Sequence, residues 1–205
     1  MSTISIGSVA TALEDAGLLV ERRGALPDEA SGITDDSRLV GPGGLFVAVR
    51  GTTADGHDYL DAAERAGAAA AIVEDDSRTG LPALVVNDGR RAAGIAADAA
   101  YGHPSRELRM IGVTGTNGKT TTVGLLRHLF DAPDARAASI GTLGVLVGSD
   151  GTQLPGGGGL TTPGPVELQR VLRALRDAGV ATVAMEVSSH SLHQRRVAGV
   201  HFAAG

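Results

Sequence analysis

Short apolar runs alternate with stretches of helical spacing along the first half of the chain. Val9, Leu13 and Ala16 recur on one face of a predicted helix that ends at Gly17. Further strands are predicted within 32–38, 45–49, 68–75 and 81–88, and further helices within 55–66 and 89–102. This alternation is typical of an α/β domain, which we expect to end near Pro104.

A second alternation begins with the apolar run at 108–113. We expect a helix at 119–130, one strand at 136–147 and an exposed glycine-rich loop at 148–159. The next predicted helix has Thr162 as its candidate N-cap, Pro163 or Pro165 in its first turn, and Gly179 at its end. Its inward stripe consists of Leu168, Val171, Leu172 and Leu175.

The run "VATVAMEV" at 180–187 has no polar alternation, which predicts a strand buried on both faces of a parallel sheet. "HFAAG" at 201–205 opens a further strand. The expected fold is therefore α/β, with a small α/β domain over 1–104 followed by a P-loop-type parallel-sheet domain over 105–205. Three or four strands leave that second sheet incomplete at its C-terminal end.

Composition narrows the possible functions. The chain has no cysteine, which excludes disulfides and thiolate chemistry, and only 2% aromatic residues, which argues against stacking on bases. A net charge of -5 gives no indication of nucleic-acid binding. No apolar run approaches the roughly 20 residues that span a bilayer, and the N-terminus lacks the basic start of a signal peptide. We expect a monomeric cytoplasmic protein without membrane insertion.

The stretch "GVTGTNGKTTT" at 112–122 lies between a predicted strand and a predicted helix. Its glycines free backbone N–H groups to face one anion, and the helix N-terminus favours negative charge at the same place. Lys119 offers a mobile positive charge, and the Thr120 hydroxyl is a candidate Mg²⁺ ligand. A plain glycine turn would not explain the Lys-Thr pair. We therefore predict ATP and Mg²⁺ as cofactors. The predicted ATP-binding residues are Gly115, Thr116, Asn117, Gly118, Lys119, Thr120 and Thr121.

Glu186 is a second candidate for metal binding. It ends the predicted strand at 180–187, and ligand sites in open α/β sheets lie at the carboxyl ends of strands. A carboxylate beside the glycine-rich loop suits Mg²⁺. From the residues alone, a helix cap or an ion pair with Arg195 or Arg196 is equally compatible with the pattern.

Three motifs resemble one enzyme family. The usual phosphate-loop spacing would place a glycine at Val113, and the variant "TGTNGKTT" resembles the ATP loop of the Mur ligases and of folylpolyglutamate synthase. Residues 35–63 resemble the uridine-nucleotide domain of the Mur ligases, which the synthases lack. "AMEVSSHSLHQRRV" at 184–197 resembles the diamino-acid-adding members. The motifs follow the family's order over nearly the whole chain.

The resemblance implies an ATP-dependent carbon–nitrogen ligase of peptidoglycan precursor synthesis. It would add a diamino acid, meso-diaminopimelate or L-lysine, to UDP-MurNAc-L-Ala-D-Glu through an acyl phosphate. Lys119, Thr120 and Glu186 would act in catalysis, with Thr120 and Glu186 as metal ligands. The implied substrate contacts are Asp35, Ser37, Thr52, Thr53, Ala54, Thr161, Thr162, Ser188, Gln194 and Arg196.

Several positions in this set have a second interpretation or depart from the family. Only the backbone of Asp35 carries over, because some members have an apolar residue there, and Ser37 could equally cap a turn. Leu160 stands where the family often has Asn. His190 and His193 have a spacing that can chelate metal, but solvent or packing roles fit them better.

In the family, the sequence after a strand like 199–205 contains a carbamylated lysine that helps to hold a second Mg²⁺. A third domain, which binds the incoming amino acid, follows. We therefore expect this chain to be an N-terminal portion that is inactive alone. The alternatives are another Mur-type ligase, or a nucleotide-binding module without ligase activity.

Overall fold

The computed structural model describes residues 3–52, 54–157 and 159–205. The chain divides into two compact units, Met1–Tyr101 and Gly102–Gly205, called here the first and second units. Within the described residues, no helix combines the length and hydrophobicity needed to cross a bilayer.

The first unit is built on a five-stranded sheet. The strands of the whole unit are β1 Ile4–Ser5, β2 Leu19–Arg23, β3 Glu29–Ala30, β4 Ile33–Thr34, β5 Leu45–Val47, β6 Ala70–Val73 and β7 Ala83–Val86. Its helices are α1 Ile6–Asp15, α2 Leu60–Arg65 and α3 Gly89–Ala100. The sheet order is β2-β7-β6-β5-β4, in which β4 to β7 are parallel and β2 is an antiparallel edge. β1 and β3 form a separate antiparallel pair.

The sequence pattern explains these elements. Ser5 caps α1 by accepting from the Ser8 N–H, and Val9 and Leu13 are fully buried on its inner face. Gly17 follows the helix with φ +68°, a conformation that favours glycine, as the sequence predicted. β6 is buried at all four positions because a parallel sheet is covered on both faces.

The second unit also has a five-stranded sheet. Its elements are α4 Pro104–Glu107, β8 Arg109–Val113, α5 Lys119–Phe130, β9 Arg136–Gly141, β10 Gly144–Val147, β11 Thr152–Leu154, α6 Pro165–Asp177, β12 Val180–Glu186 and α7 Ser189–His193. The order is β11-β10-β9-β12-β8, with β9, β12 and β8 parallel. Along the outer edge of β8, Ala203 N–H donates to Met110 O and Gly112 N–H donates to Ala204 O, both at 2.9 Å, so a parallel bridge begins there.

The predicted stripe of α6 is confirmed. All four of its leucine and valine positions are buried in one cluster with sheet residues such as Met110, Ile140 and Val183. The predicted strand at 180–187 is likewise found as β12, which lies inside the sheet between β9 and β8.

Three local predictions are wrong. The single strand at 136–147 is a hairpin, because Gly144 takes φ +91° and turns the chain back after Gly141. The loop at 148–159 contains β11, which continues the sheet by pairing with β10. Thr162 does not cap α6: Gly164 occupies the cap without a side-chain bond, and Pro165 stands in the first turn.

Candidate functional site

The glycine-rich loop at 114–118 joins β8 to α5. Gly115 has φ +139° and Gly118 has φ +81°, so both take conformations that side chains disfavour. All five loop residues are exposed. The first N–H groups of a helix lack partners within the helix, and those of α5 follow directly after Gly118. The loop therefore has the geometry of an anion-binding site.

Two side chains tie this loop to the first turn of α5. Lys119 donates from Nζ to Gly115 O at 2.6 Å, and Thr122 donates from Oγ1 to Gly118 O at 2.9 Å. The ammonium group thus already lies over the loop. Thr120, one residue further, lines a small open pocket together with Ser139 and Glu186.

Glu186 ends β12 directly beside Val113, the last residue before the loop. Its side chain is only 1% exposed. Oε1 accepts from the Thr142 N–H at 3.0 Å, and the Thr142 hydroxyl lies 3.4 Å from Oε2. The alternatives of a helix cap and of an ion pair with Arg195 or Arg196 are not found among the described contacts.

A buried carboxylate without a cation is costly. The ion pairs found among the described residues do not include Glu186. Its oxygens and the Thr120 hydroxyl are hard donors of the kind that Mg²⁺ prefers. The residues therefore fit a divalent cation.

Thr162 is the centre of a buried hydrogen-bond network behind Glu186. It is 1% exposed, donates from Oγ1 to Glu186 O at 3.0 Å, and accepts from the Ser188 N–H at 3.3 Å. Arg196 donates from one terminal nitrogen to Thr162 O at 3.0 Å and from Nε to Gln194 Oε1 at 2.8 Å. Thr162 is thereby hydrogen-bonded to residues 26 and 34 positions away in the sequence.

Ser188 and Thr161 extend the network in two directions. Ser188 caps α7 by accepting from the Ser191 N–H at 3.1 Å, so its hydroxyl already has a structural use. Thr161 Oγ1 lies 3.3 Å from Thr142 Oγ1. Thr142 was missed by the sequence analysis. The available signal was a polar residue between two glycines, "GTLG", inside an apolar run.

His190 and His193 are exposed on α7. His190 Nε2 lies 2.8 Å from Gln194 Nε2. The described residues contain no group of three or more His, Asp or Glu side chains arranged to hold a metal ion.

In the first unit, the predicted uridine contacts follow β4 and β5. These strands are parallel neighbours, so their following loops lie at the same end of the sheet. Asp35 is exposed just after β4, and Ser37 begins a short 3-10 turn. Asp36 rather than Ser37 caps that turn by accepting from the Arg38 N–H at 3.0 Å.

The loop after β5 carries the other predicted uridine contacts. It closes through the Gly51 N–H, which donates to Ala54 O at 2.9 Å, and Thr52 is exposed within it. Thr53 lies outside the described residues.

A buried histidine supports the end of this loop, and the sequence analysis missed it. His57 is 2% exposed, with Nδ1 at 2.7 Å from Asp55 Oδ1. Its Nε2 accepts from the Glu74 N–H at 3.0 Å, which assigns the proton to Nδ1. The backbone N–H and ring of His57, with Arg78, hold the pKa of the Asp55 carboxyl below its ordinary value. The signal was the run "DGHD" after an apolar strand.

Comparison with known protein families gives matches in both units. Residues 113–205 match the Mur ligase middle domain, and residues 29–102 match the Mur ligase family catalytic domain. The chain is 44% identical over 198 residues to the UDP-N-acetylmuramoyl-L-alanyl-D-glutamate--2,6-diaminopimelate ligase of Geobacter metallireducens. That alignment covers 94% of this chain and 38% of the Geobacter protein.

Solved structures agree with the sequence matches. A structure of a UDP-N-acetylmuramoyl-L-alanyl-D-glutamate--2,6-diaminopimelate ligase superposes with a TM-score of 0.74 at 26% identity, over 97% of this chain and 38% of that one. The MurF ligase of Thermotoga maritima, solved in complex with ADP, gives a TM-score of 0.52 at 25% identity, over 77% of this chain and 32% of that one.

This chain thus spans between a third and about two fifths of the length of the curated relatives it matches. The two family matches together cover more than half of it, one in each compact unit. The loop before α5 and the buried carboxylate at the end of β12 both lie in the part that matches the middle domain. With these matches in sequence and in fold, the chain belongs to the Mur ligase family.

Proposed function

We propose that this chain provides the uridine-nucleotide-binding and ATP-binding parts of an ATP-dependent carbon–nitrogen ligase. The reaction would add a diamino acid to UDP-MurNAc-L-Ala-D-Glu, as the name of the Geobacter relative indicates for diaminopimelate. The observation that carries the proposal is Glu186. Its carboxylate is buried at a strand end beside the glycine-rich loop, in a pocket shared with Thr120.

The first chemical step would bring together two anions, the D-glutamate carboxylate of the substrate and the γ-phosphate of ATP. Catalysis then depends on positioning and on neutralising charge. Lys119 and the N–H groups at the start of α5 would bind the phosphates. Thr120 and Glu186 would hold Mg²⁺, which supplies further positive charge to the phosphates when bound.

The network around Thr162 suggests a division of roles among the predicted substrate contacts. The Thr162 and Ser188 hydroxyls are engaged within the protein, so these residues would position their neighbours. Arg196 uses Nε and one terminal nitrogen internally. A guanidinium has five N–H donors, so the remaining ones are available for a carboxylate or phosphate of the substrate.

The uridine end of the substrate would be bound by the first unit. The proposed contacts there are the Asp35 backbone, the Ser37 hydroxyl and the loop of Thr52, Thr53 and Ala54. The Gly51 N–H, which donates to Ala54 O, supports this assignment because it draws the two ends of the loop together.

Lys119 offers a direct test because it is the only lysine in the chain. Lys119→Ala should weaken binding of Mg²⁺ and a non-hydrolysable ATP analogue by at least about tenfold, since it removes a charge-assisted contact. The affinity of the Lys119→Ala variant for UDP-MurNAc-L-Ala-D-Glu should stay within about twofold of the wild-type value. Isothermal titration calorimetry measures both.

A second readout uses the wild-type chain. Mg²⁺ and the ATP analogue should protect Lys119 from an amine-reactive reagent, as followed by mass spectrometry of its peptide, while the α-amino group stays reactive. Absence of both ATP-analogue binding and protection would contradict the proposal.

A further inference from the structure

Thr142 lies at the tip of the β9–β10 hairpin, outside the set of residues that the sequence pointed to. Its backbone N–H donates to Glu186 Oε1 at 3.0 Å, and its hydroxyl lies 3.4 Å from Glu186 Oε2. One residue therefore contacts both oxygens of the buried carboxylate. The described contacts assign the side chain of Glu186 no other hydrogen-bond partner.

The backbone around Thr142 enforces this contact. A Cβ built on Gly141 would lie 2.2 Å from Glu186 Oε1, so only glycine lets the carboxylate lie against the strand. Gly144 pairs with Gly141 across a two-residue turn, Thr142 and Leu143, so the hairpin is short and its tip is fixed. The Thr142 N–H is thereby held at the end of β12 even though 44 residues separate it from Glu186.

The Thr142 hydroxyl also faces Thr161. Oγ1 of Thr142 is 3.3 Å from Oγ1 of Thr161 and 3.4 Å from Glu186 Oε2, so it contacts a hydroxyl and a carboxylate at nearly equal distances. A carboxylate only accepts, so the Thr142 proton faces Glu186 and Thr161 donates to Thr142. Both hydroxyl distances exceed the usual range, which makes the backbone N–H the stronger anchor.

From these contacts we infer that Thr142 is a positioning residue that orients Glu186 for a divalent cation and links it to Thr161. The inference rests on the proposed function, because it takes Glu186 as a metal ligand. Groups that hydrogen-bond to metal ligands fix their orientation, and their removal usually weakens metal binding about 10- to 100-fold. Since Thr142→Val keeps the backbone N–H, we expect a loss near the lower end, about tenfold.

Mn²⁺ binding in the presence of a non-hydrolysable ATP analogue tests this, with free Mn²⁺ measured by electron paramagnetic resonance. A protein-free titration is subtracted, because the analogue itself chelates Mn²⁺. Thr142→Val should lose about tenfold in Mn²⁺ affinity, whereas Thr142→Ser should stay within about threefold of wild type because it keeps the hydroxyl. Thr152→Val is the matched control, since the Thr152 hydroxyl donates to Asp150 at the exposed start of β11 in the same unit. All affinities are measured well below the melting temperature of each variant.

The outcomes distinguish a failure of the positioning role of Thr142 from a failure of the proposed function. If wild type binds Mn²⁺ with the analogue and Thr142→Val binds it equally well, the positioning role is wrong while the proposed function stands. A lower melting temperature with unchanged Mn²⁺ affinity would show that Thr142 is only structural, and also overturns the inference. If wild type binds no Mn²⁺ with the analogue, the proposed function itself fails.

Discussion

The contact between Gly141 and Glu186 gives a prediction that can be worked out from distances. In Gly141→Ala, the new Cβ would lie 2.2 Å from Glu186 Oε1 and 2.7 Å from Cγ and Cδ. Ordinary contact distances are about 3.5 Å, so the side chain or the strand must shift by more than about 1 Å. Glu186 is 1% exposed, and the free space beside it is the small pocket that it shares with Thr120.

Either response is destabilising. If Glu186 moves, its 3.0 Å bond from the Thr142 N–H is lost, and a hydrogen bond to a charged group contributes about 1.5–3 kcal/mol. If β9 moves instead, overpacking of this kind costs about 1–3 kcal/mol. We therefore expect a loss of about 2 kcal/mol, which lowers the melting temperature of a unit of this size by roughly 8–16 °C.

Differential scanning calorimetry of the chain measures this effect, with Gly124→Ala as the matched control. A Cβ on Gly124 meets nothing within 4 Å, and the residue lies inside α5. That variant should gain about 0.5–1 kcal/mol from higher helix propensity. A melting temperature for Gly141→Ala at or above wild type would refute the packing of Glu186 against this strand.

Two further predictions concern the other buried networks. Thr162→Val should cost about 1–3 kcal/mol in urea denaturation, because the Ser188 N–H and Glu186 O lose their shared partner, while Thr162→Ser should cost less; equal stability of Val and Ser variants would contradict the network. The lowered pKa of Asp55 stabilises the fold above its unfolded value of about 3.9, and this contribution is lost as the pH falls through the lower folded value. Melting curves from pH 7 to pH 3 should therefore show a smaller acid-induced loss for Asp55→Asn than for wild type, and parallel curves would count against the bond to His57.

The pattern of apolar residues was sufficient to predict most of the helices and strands. The run at 182–187 is buried on both faces, and a strand so uniform has few alternatives in an α/β protein. The hairpin at 136–147 was missed because its two-residue turn interrupts an apolar run too briefly to change the periodicity. Thr162 was wrongly predicted to cap α6. Its hydroxyl instead donates to Glu186 O, a partner that local spacing does not reveal.

The residues of the candidate site likewise fall into those that local sequence rules predict and those that depend on distant partners. Lys119 and Glu186 follow from rules about loops and strand ends, and the structure places β12 beside β8 so that both lie at one end of the sheet. Thr142 and His57 act through partners 44 and 17 residues away. Such contacts depend on which strands become neighbours, and that is a property of the sheet rather than of any one segment.

The bridge beside β8 has a consequence for how copies of this chain behave together. β8 has β12 on one side, and its other side would be an open edge if Ala203 and Ala204 did not pair with Met110 and Gly112. Exposed strand edges are templates for pairing with other molecules and for aggregation. Pairing of Ala203 and Ala204 with β8 therefore shields part of this strand edge from other copies of the chain.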